Sequence, residues 1–194
     1  ISQGRGLGIE AWISRTGYTG EDGFEIFVAP DQAPLLWAGL LAAGAGHGIQ
    51  ACGLGARDVL RLEAGLPLYG HELSDEVTPV EASLGWTVKS EAPYFGHEVL
   101  RRQLAEGCTR RLVGLTLEGR AIARDGATVF AGEREVGRVV SGTHSPLLQA
   151  PIATAFVSAE HAAPGNRLEV EIRGKRTAAT VGRPAFYRRP RRLP

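Results

Sequence analysis

The hydrophobic and polar positions at the start of the chain predict a strand, a loop, a second strand and a helix. Residues 9–15 alternate apolar and polar side chains imperfectly, which indicates a strand. Residues 16–23 contain three glycines and an Asp-Gly pair, which is typical of a turn-rich loop. Aromatic and β-branched residues at 24–28 predict the returning strand, and residues 31–43 predict a helix that Asp31 caps. This order is typical of an α+β domain with an antiparallel sheet.

Three further helices are predicted before residue 107. Residues 54–63 form one, with Arg57 and Arg61 four positions apart and therefore on one face. The sequence Thr-Pro-Val-Glu at 78–81 has the form of a capping box with proline at the first helical position, which predicts a helix start. Residues 96–106 form an amphipathic helix that Gly107 ends.

The pattern changes to short strands after residue 110. The predicted strands share apolar, β-branched composition and have turn residues between them; they lie at 112–117, 136–140, 152–157, 168–172 and 177–181. Closely spaced strands of this kind predict a small all-β barrel or sandwich. The sequence therefore predicts an α+β region at residues 1–107 and a C-terminal β-barrel domain at 108–194.

Composition and charge exclude several classes of protein. With 22 basic and 21 acidic residues the net charge is +1, which gives no general support to nucleic-acid binding. The two cysteines, Cys52 and Cys108, form neither a disulfide framework nor a metal-ligand spacing, so we predict no metal and a reducing, cytoplasmic location. The longest apolar stretch, 33–46, is too short and glycine-rich to span a membrane. The basic run at 187–192 predicts a solvated tail, with attraction of an acidic partner as the alternative.

Three sequence blocks carry a resemblance to a known family. The first block, residues 14–26, reads Ser-Arg-Thr-Gly-Tyr-Thr-Gly-Glu-Asp-Gly-Phe-Glu-Ile. The second block has two parts: residues 53–58 read Gly-Leu-Gly-Ala-Arg-Asp, and residues 62–73 read Leu-Glu-Ala-Gly-Leu-Pro-Leu-Tyr-Gly-His-Glu-Leu. The third block, residues 78–86, reads Thr-Pro-Val-Glu-Ala-Ser-Leu-Gly-Trp. Together they resemble the aminomethyltransferase of the glycine cleavage system, the T-protein family. Linked blocks in one order are far more specific than a single glycine motif.

The resemblance implies a fold, a reaction and two partners. T-proteins have a three-domain cloverleaf with ferredoxin-like α+β elements and a C-terminal β-barrel. They transfer the methylene of an aminomethyl group, held on the lipoyl arm of the H-protein, to tetrahydrofolate and release ammonia. The family is about twice this length and this chain contains no methionine, so we expect a fragment that corresponds to the C-terminal half. The catalytic aspartate of the family lies in the other half, so no catalytic residue is named here.

Two charged residues are candidate folate ligands. A carboxylate at Glu25 can accept both donors of a pterin's amino-pyrimidinone edge, and the planar guanidinium of Arg57 can hold a carbonyl or carboxylate. The alternatives are a solvent-facing strand position for Glu25 and a surface ion pair with Asp58 or Glu63 for Arg57. The resemblance favours the ligand roles. Glu21 is assigned to the turn instead.

Two aromatic residues complete the candidate site. Tyr18 and Trp86 offer rings against which a flat pterin can stack, while the alternative for each is a place in the core. The resemblance implies that both lie against the bound folate.

The blocks leave other families open as alternatives. Flavin-linked sarcosine and dimethylglycine dehydrogenases have a similar folate-binding region, but the sequence at 61–73 has the T-protein form. Non-enzymatic folate-binding proteins of iron–sulfur cluster assembly carry a cysteine in the glycine-tyrosine loop, and residues 15–23 contain none. An inactive fragment is the third alternative.

Overall fold

The computed structural model describes residues 2–6, 8–89 and 93–190, and for 2–6 the backbone alone. The chain divides into two compact units. The first unit comprises Ile1–Leu60 and Arg189–Pro194, and the second comprises Arg61–Arg188. The part of the predicted basic tail at 191–192 lies outside the described residues.

The first unit contains a three-stranded antiparallel sheet and a twelve-residue helix. The strands are β1 (Ser2–Gly6), β2 (Ile9–Ser14) and β3 (Glu25–Phe27), in that order across the sheet. Ser14 of β2 pairs with Glu25 of β3. The predicted strands at 9–15 and 24–28 are therefore confirmed, while β1 was missed because its Ser-Gln-Gly-Arg-Gly sequence has no apolar alternation.

Helix α1 (Ala33–Gly44) follows a 3₁₀ turn at Pro30–Gln32. Asp31 lies inside that turn, and the residue that precedes α1, Gln32, makes no side-chain capping bond, so the predicted cap was wrong. No residue of α1, which is described over its whole length, is buried, and Trp37 is 55% exposed. An almost continuous apolar sequence specifies no single inward face.

Helix α2 (Leu54–Glu63) matches its predicted bounds and crosses from the first unit into the second. Its exposed N-terminal half includes Arg57, whereas its last three residues, Arg61, Leu62 and Glu63, are buried. The helix is therefore exposed at its start and buried at its end. The buried charges of Arg61 and Glu63 need hydrogen-bond or ion-pair partners nearby.

The second unit contains α3 (His97–Glu106) and a closed barrel of six antiparallel strands. The strands have the spatial order β4-β7-β6-β5-β8-β9, and their bounds are β4 Arg110–Leu117, β5 Thr128–Ala131, β6 Arg134–Ser145, β7 Ala150–Ser158, β8 Arg167–Ile172 and β9 Lys175–Gly182. Small and branched side chains such as Leu115, Val129 and Val170 fill its interior. The predicted α+β class with a C-terminal all-β barrel is confirmed, although the four-residue β5 was missed.

The division at residue 107 stays a prediction. The barrel begins at Arg110, whereas the compact unit that contains it begins at Arg61. The intervening residues from the end of α2 to α3 belong to that same unit.

The predicted helix at residue 78 was wrong, although its capping hydrogen bonds form. Thr78 N donates to Glu81 Oε2 at 2.9 Å, and Glu81 N donates to Thr78 Oγ1 at 3.2 Å. Only a turn follows, because Ser83 adopts a left-handed backbone conformation with φ 60°. The Glu81 carbonyl accepts from Leu112 N of β4, at 2.8 Å, so the barrel takes the acceptor that a helix would have used.

Candidate folate-binding site

Buried polar contacts anchor the second sequence block within the second unit. Arg61, whose side chain is 2% exposed, donates from Nη1 to Glu72 Oε2 at 2.9 Å and from Nη2 to Ser141 Oγ at 2.9 Å. Glu72 also accepts from Leu68 N at 3.0 Å and from Thr154 Oγ1. Every charge in this cluster therefore has a partner, which is the condition for burying ions at tolerable cost.

Glu63 forms a second buried anchor. Its side chain accepts from Ser145 Oγ and from Leu147 N, while its backbone carbonyl accepts from Phe186 N at 2.9 Å and Tyr187 N at 2.7 Å. These contacts join the end of α2 to β6 and to the segment that follows β9. Arg61 and Glu63 consequently have structural surroundings rather than those of an open ligand site.

Two carboxyl groups of the second unit have lowered pKa values. Burial raises the pKa of Glu72, but hydrogen bonds from Thr154, Ser141 and Leu68 and the charge of Arg61 outweigh it, so the net pKa lies below 4.5. For Glu81, burial is likewise outweighed by hydrogen bonds from Thr78 and Arg110. Both carboxyl groups are thus stabilised as anions in the folded state.

We expect the second unit to lose stability as the pH falls below about 4.5, the ordinary pKa of these glutamates. A lowered folded-state pKa gives stability that is present above the unfolded-state pKa and is lost as pH falls through the folded-state pKa. Denaturant unfolding between pH 7 and pH 3 measures this, and Glu72→Gln should flatten the acid branch. The exposed Glu98→Gln is the control; an equal flattening there would contradict the assignment.

The first candidate ligand, Glu25, begins β3 and is contacted by the loop between β2 and β3. Thr16 Oγ1 donates to Oε2 of the exposed Glu25 and lies 2.8 Å from Oγ of the buried Ser14. A hydroxyl has one hydrogen, so Thr16 donates to the carboxylate and accepts from Ser14. The sequence reasoning missed this orienting role of Thr16, although its Ser-x-Thr spacing opposite Glu25 was visible in the first block.

Tyr18 and Arg57 lie together in the first unit. The Arg57 guanidinium carbon is 4.4 Å from the centroid of the Tyr18 ring, a cation–π contact. Tyr18 is half-buried in the β2–β3 loop, and Arg57 is exposed in the first part of α2. The fold therefore joins the first and second sequence blocks at two of the residues selected from sequence.

The neighbouring acidic residues of the loop have different surroundings. Asp22 Oδ1 is 2.7 Å from Nη1 of Arg189 and 3.7 Å from Nη2 of Arg15. The backbone N of Glu21 donates to Thr19 Oγ1 at 3.3 Å, and its side chain is exposed. These contacts fit the turn assigned to Glu21 and Asp22.

Trp86 lies in the second unit, in the 3₁₀ helix Gly85–Thr87, and is 78% exposed. The core alternative for this residue is therefore wrong. The ring of Tyr18 is only half-buried and lies against the guanidinium of Arg57, so its surroundings are not those of an apolar core.

Comparisons with known proteins match nearly the whole chain. Residues 1–92 match the GCVT N-terminal domain, and residues 110–188 match the glycine cleavage T-protein C-terminal barrel domain. The aminomethyltransferase of Geobacillus kaustophilus is 54% identical over 94% of this chain and 50% of the relative; that of Bacillus mycoides is 50% identical with the same coverage. The chain belongs to the glycine cleavage T-protein family.

A solved structure gives the same result for the fold of this T-protein family member. The glycine cleavage system aminomethyltransferase T of Bartonella henselae has a TM-score of 0.83 and 37% identity, over 90% of this chain and 49% of that one. The chain spans about half the length of the relatives it matches. The two other folate-binding families considered from the sequence are not favoured by these comparisons.

The described part of this T-protein family chain has neither a cluster of metal ligands nor a helix that could cross a membrane. Among those residues, no group of three or more His, Cys, Asp or Glu side chains is placed to hold a metal ion. The helices in the same ranges are all too short or too polar to cross a membrane.

Proposed function

We propose that this chain supplies the folate-binding part of a tetrahydrofolate-dependent aminomethyltransferase of the glycine cleavage system. The observation that carries the proposal is the contact of Arg57 with Tyr18, which lies in the same loop that leads into Glu25. The names of relatives that are 50% identical or more support the activity. Its co-substrate is tetrahydrofolate, and its carrier partner is the lipoylated H-protein.

Glu25, Arg57, Tyr18 and Trp86 are proposed as the folate-binding residues. The Glu25 carboxylate accepts from the ring N–H and exocyclic amine of the pterin, and Thr16 fixes one carboxylate oxygen for that contact. Arg57 contributes its planar donor fork to an acceptor group of the folate, while the Tyr18 ring packs against the guanidinium. The exposed Trp86 ring provides apolar surface for the cofactor.

The reaction transfers one carbon. The methylene of the aminomethyl-lipoyl group forms bonds to the nitrogens of tetrahydrofolate, its bonds to sulfur and to the amino nitrogen break, and the products are 5,10-methylenetetrahydrofolate, ammonia and the dihydrolipoyl carrier. Binding residues contribute by holding the folate amines near the reacting carbon. No residue of this chain is assigned to the catalytic step.

A chimera tests the activity. This chain should replace the matching half of the Geobacillus kaustophilus aminomethyltransferase, and the purified product should form methylenetetrahydrofolate from aminomethylated H-protein. A folded chimera without this activity would contradict the proposal, with the unaltered relative as the positive control.

The chain alone should show weak or no tetrahydrofolate binding by calorimetry and no turnover. Micromolar binding or turnover by the chain alone would show that its own residues suffice.

A further inference from the structure

A groove of about 650 Å³ lies on the barrel between two of its connections. Residues 120–127, which connect β4 to β5, form one wall, and residues 171–177 of the β8–β9 hairpin form the other. Ala127 and Ile172 pack against the barrel core and give the groove apolar surface, which Ile122 extends. We call this cavity the hairpin groove; it contains none of the residues proposed to bind folate.

Cations outnumber carboxylates in the hairpin groove. Its charged lining residues are Arg120, Arg124, Arg173, Lys175, Asp125 and Glu171, four basic and two acidic, so the groove has a formal excess of two positive charges. The chain as a whole has a net charge of only +1. Positive charge is therefore concentrated here, and a concave surface strengthens its effect on a nearby anion.

Three of these cations have no partner within the part of the chain that the structure describes. Arg120, Arg173 and Lys175 make no side-chain hydrogen bond or ion pair there, although Asp125 and Glu171 line the same groove.

Three barrel arginines outside the groove pair with carboxylates. Arg134 lies 2.9 Å from Glu160, Arg138 lies 2.8 Å from Glu135, and Arg167 pairs with Glu118. The donors of Arg120, Arg173 and Lys175 are therefore available to a ligand in the hairpin groove.

The position of Arg173 is unusual for its residue type. Its φ is 52° in the turn that it forms with Gly174, whose φ is 74°. Two-residue hairpin turns of this conformation favour Gly, which has no Cβ to clash at positive φ, and Asn or Asp, whose short polar side chains hydrogen-bond locally. The turn therefore gives no conformational reason for an arginine at its tip. We attribute the arginine instead to the binding capacity of its guanidinium group.

We propose that the hairpin groove binds a small organic anion with a carboxylate or phosphoryl group and an apolar body. The volume lies within the range of about 300–1,000 Å³ usual for small-molecule sites. Guanidinium groups bind carboxylate and phosphoryl oxygens through paired donors, and Lys175 adds a point charge. The apolar surface of Ile122, Ala127 and Ile172 receives the body of the ligand. This site is independent of the folate proposal.

Titration of the ¹⁵N-labelled full chain tests the site by NMR. Phenyl phosphate and phthalate should each cause saturable amide shifts at residues 120–127 and 171–177, and inorganic phosphate should bind more weakly because it lacks an apolar body. The stronger of the two aromatic probes identifies whether the phosphoryl or the carboxylate group is preferred. Raising the salt concentration should weaken both, since exposed charges are screened.

Variants distinguish the groove from general attraction of anions. Arg120→Ala and Lys175→Ala should each weaken probe binding by about threefold and together by about tenfold, as expected for exposed charge-assisted contacts. Arg173→Asn removes the guanidinium and keeps a residue tolerant of positive φ, so it should weaken binding without altering the turn. Arg138→Gln, outside the groove, is the matched control and should leave affinity unchanged.

Several results would overturn the proposal. They are an absence of saturable shifts with all three probes, equal weakening by Arg138→Gln, or unchanged affinity in the Arg120→Ala/Lys175→Ala variant. Unaltered amide spectra outside the groove establish that each variant is folded. If the double variant does not fold, Lys175→Gln and Arg173→Asn provide the same comparison singly.

Discussion

Replacing Arg61 with methionine should lower the free energy of unfolding by about 3–5 kcal/mol, because it leaves the Glu72 carboxylate buried without its ion-pair partner. Arg61 and Glu72 side chains are both 2% exposed, and their N–O distance is 2.9 Å. Methionine retains much of the unbranched hydrocarbon volume, so the loss of the charged partner dominates the change. Chemical denaturation at pH 7, followed by circular dichroism, measures the effect.

A double-mutant cycle separates this pair from its surroundings. Glu72→Leu removes the unpaired carboxylate but leaves the Leu68 N–H and the Thr154 hydroxyl without their acceptor. The double variant should therefore be more stable than the sum of the two single effects predicts, with a coupling of about 1–3 kcal/mol. Additive effects would show that Arg61 and Glu72 contribute separately.

The exposed pair of Arg138 and Glu135 supplies the control for this cycle. Its ions are 2.8 Å apart but more than half of the arginine side chain is accessible. Arg138→Met should cost less than about 1 kcal/mol, because solvent already screens the interaction. A cost as large as that of Arg61→Met would mean that burial does not determine the energy of these pairs.

The parts of the fold with strict periodicity could be predicted from the sequence. β8 alternates buried Leu168 and Val170 with more exposed residues, and α2 has a strong amphipathic pattern. Helix α1 could be predicted as a helix but not oriented, since Leu35 and Trp37 are exposed beside other apolar residues. The capping box at Thr78 forms, but the helix that it predicted does not, for a tertiary reason: Leu112 N of β4 uses the Glu81 carbonyl.

The candidate site was predictable to a different extent at each residue. The sequence blocks selected Tyr18 and Arg57, and the cation–π contact between them required the fold. Local spacing gave no sign that Glu72 and Arg61 are buried, because their partners Thr154 and Ser141 come from distant strands of the barrel. Long-range polar contacts of this kind have no periodic signal in sequence.

The sharpest test of the proposed folate site compares two nearby carboxylates, Glu25 and Glu21, in the chimera. Glu25→Gln should weaken tetrahydrofolate binding by about ten- to a hundredfold, since a charge-assisted hydrogen bond contributes about 1.5–3 kcal/mol. Glutamine keeps the shape and one acceptor but presents a donor to the donor edge of the pterin, so it should be nearly as harmful as Glu25→Ala. Glu21→Gln is the matched control and should have much less effect, because Glu21 belongs to the exposed turn.

Melting without folate separates ligand binding from stability. Glu25 is exposed and its side chain accepts from Thr16 alone among the described residues, so Glu25→Gln should change the melting temperature little.

Arg57→Lys should also weaken folate binding, because an ammonium group cannot reproduce the paired donors of guanidinium. If Glu21→Gln weakens binding more than Glu25→Gln does, the pterin lies on the other carboxylate. If Glu25→Gln leaves affinity unchanged while the chimera remains active, the activity stands and the assignment of Glu25 is wrong.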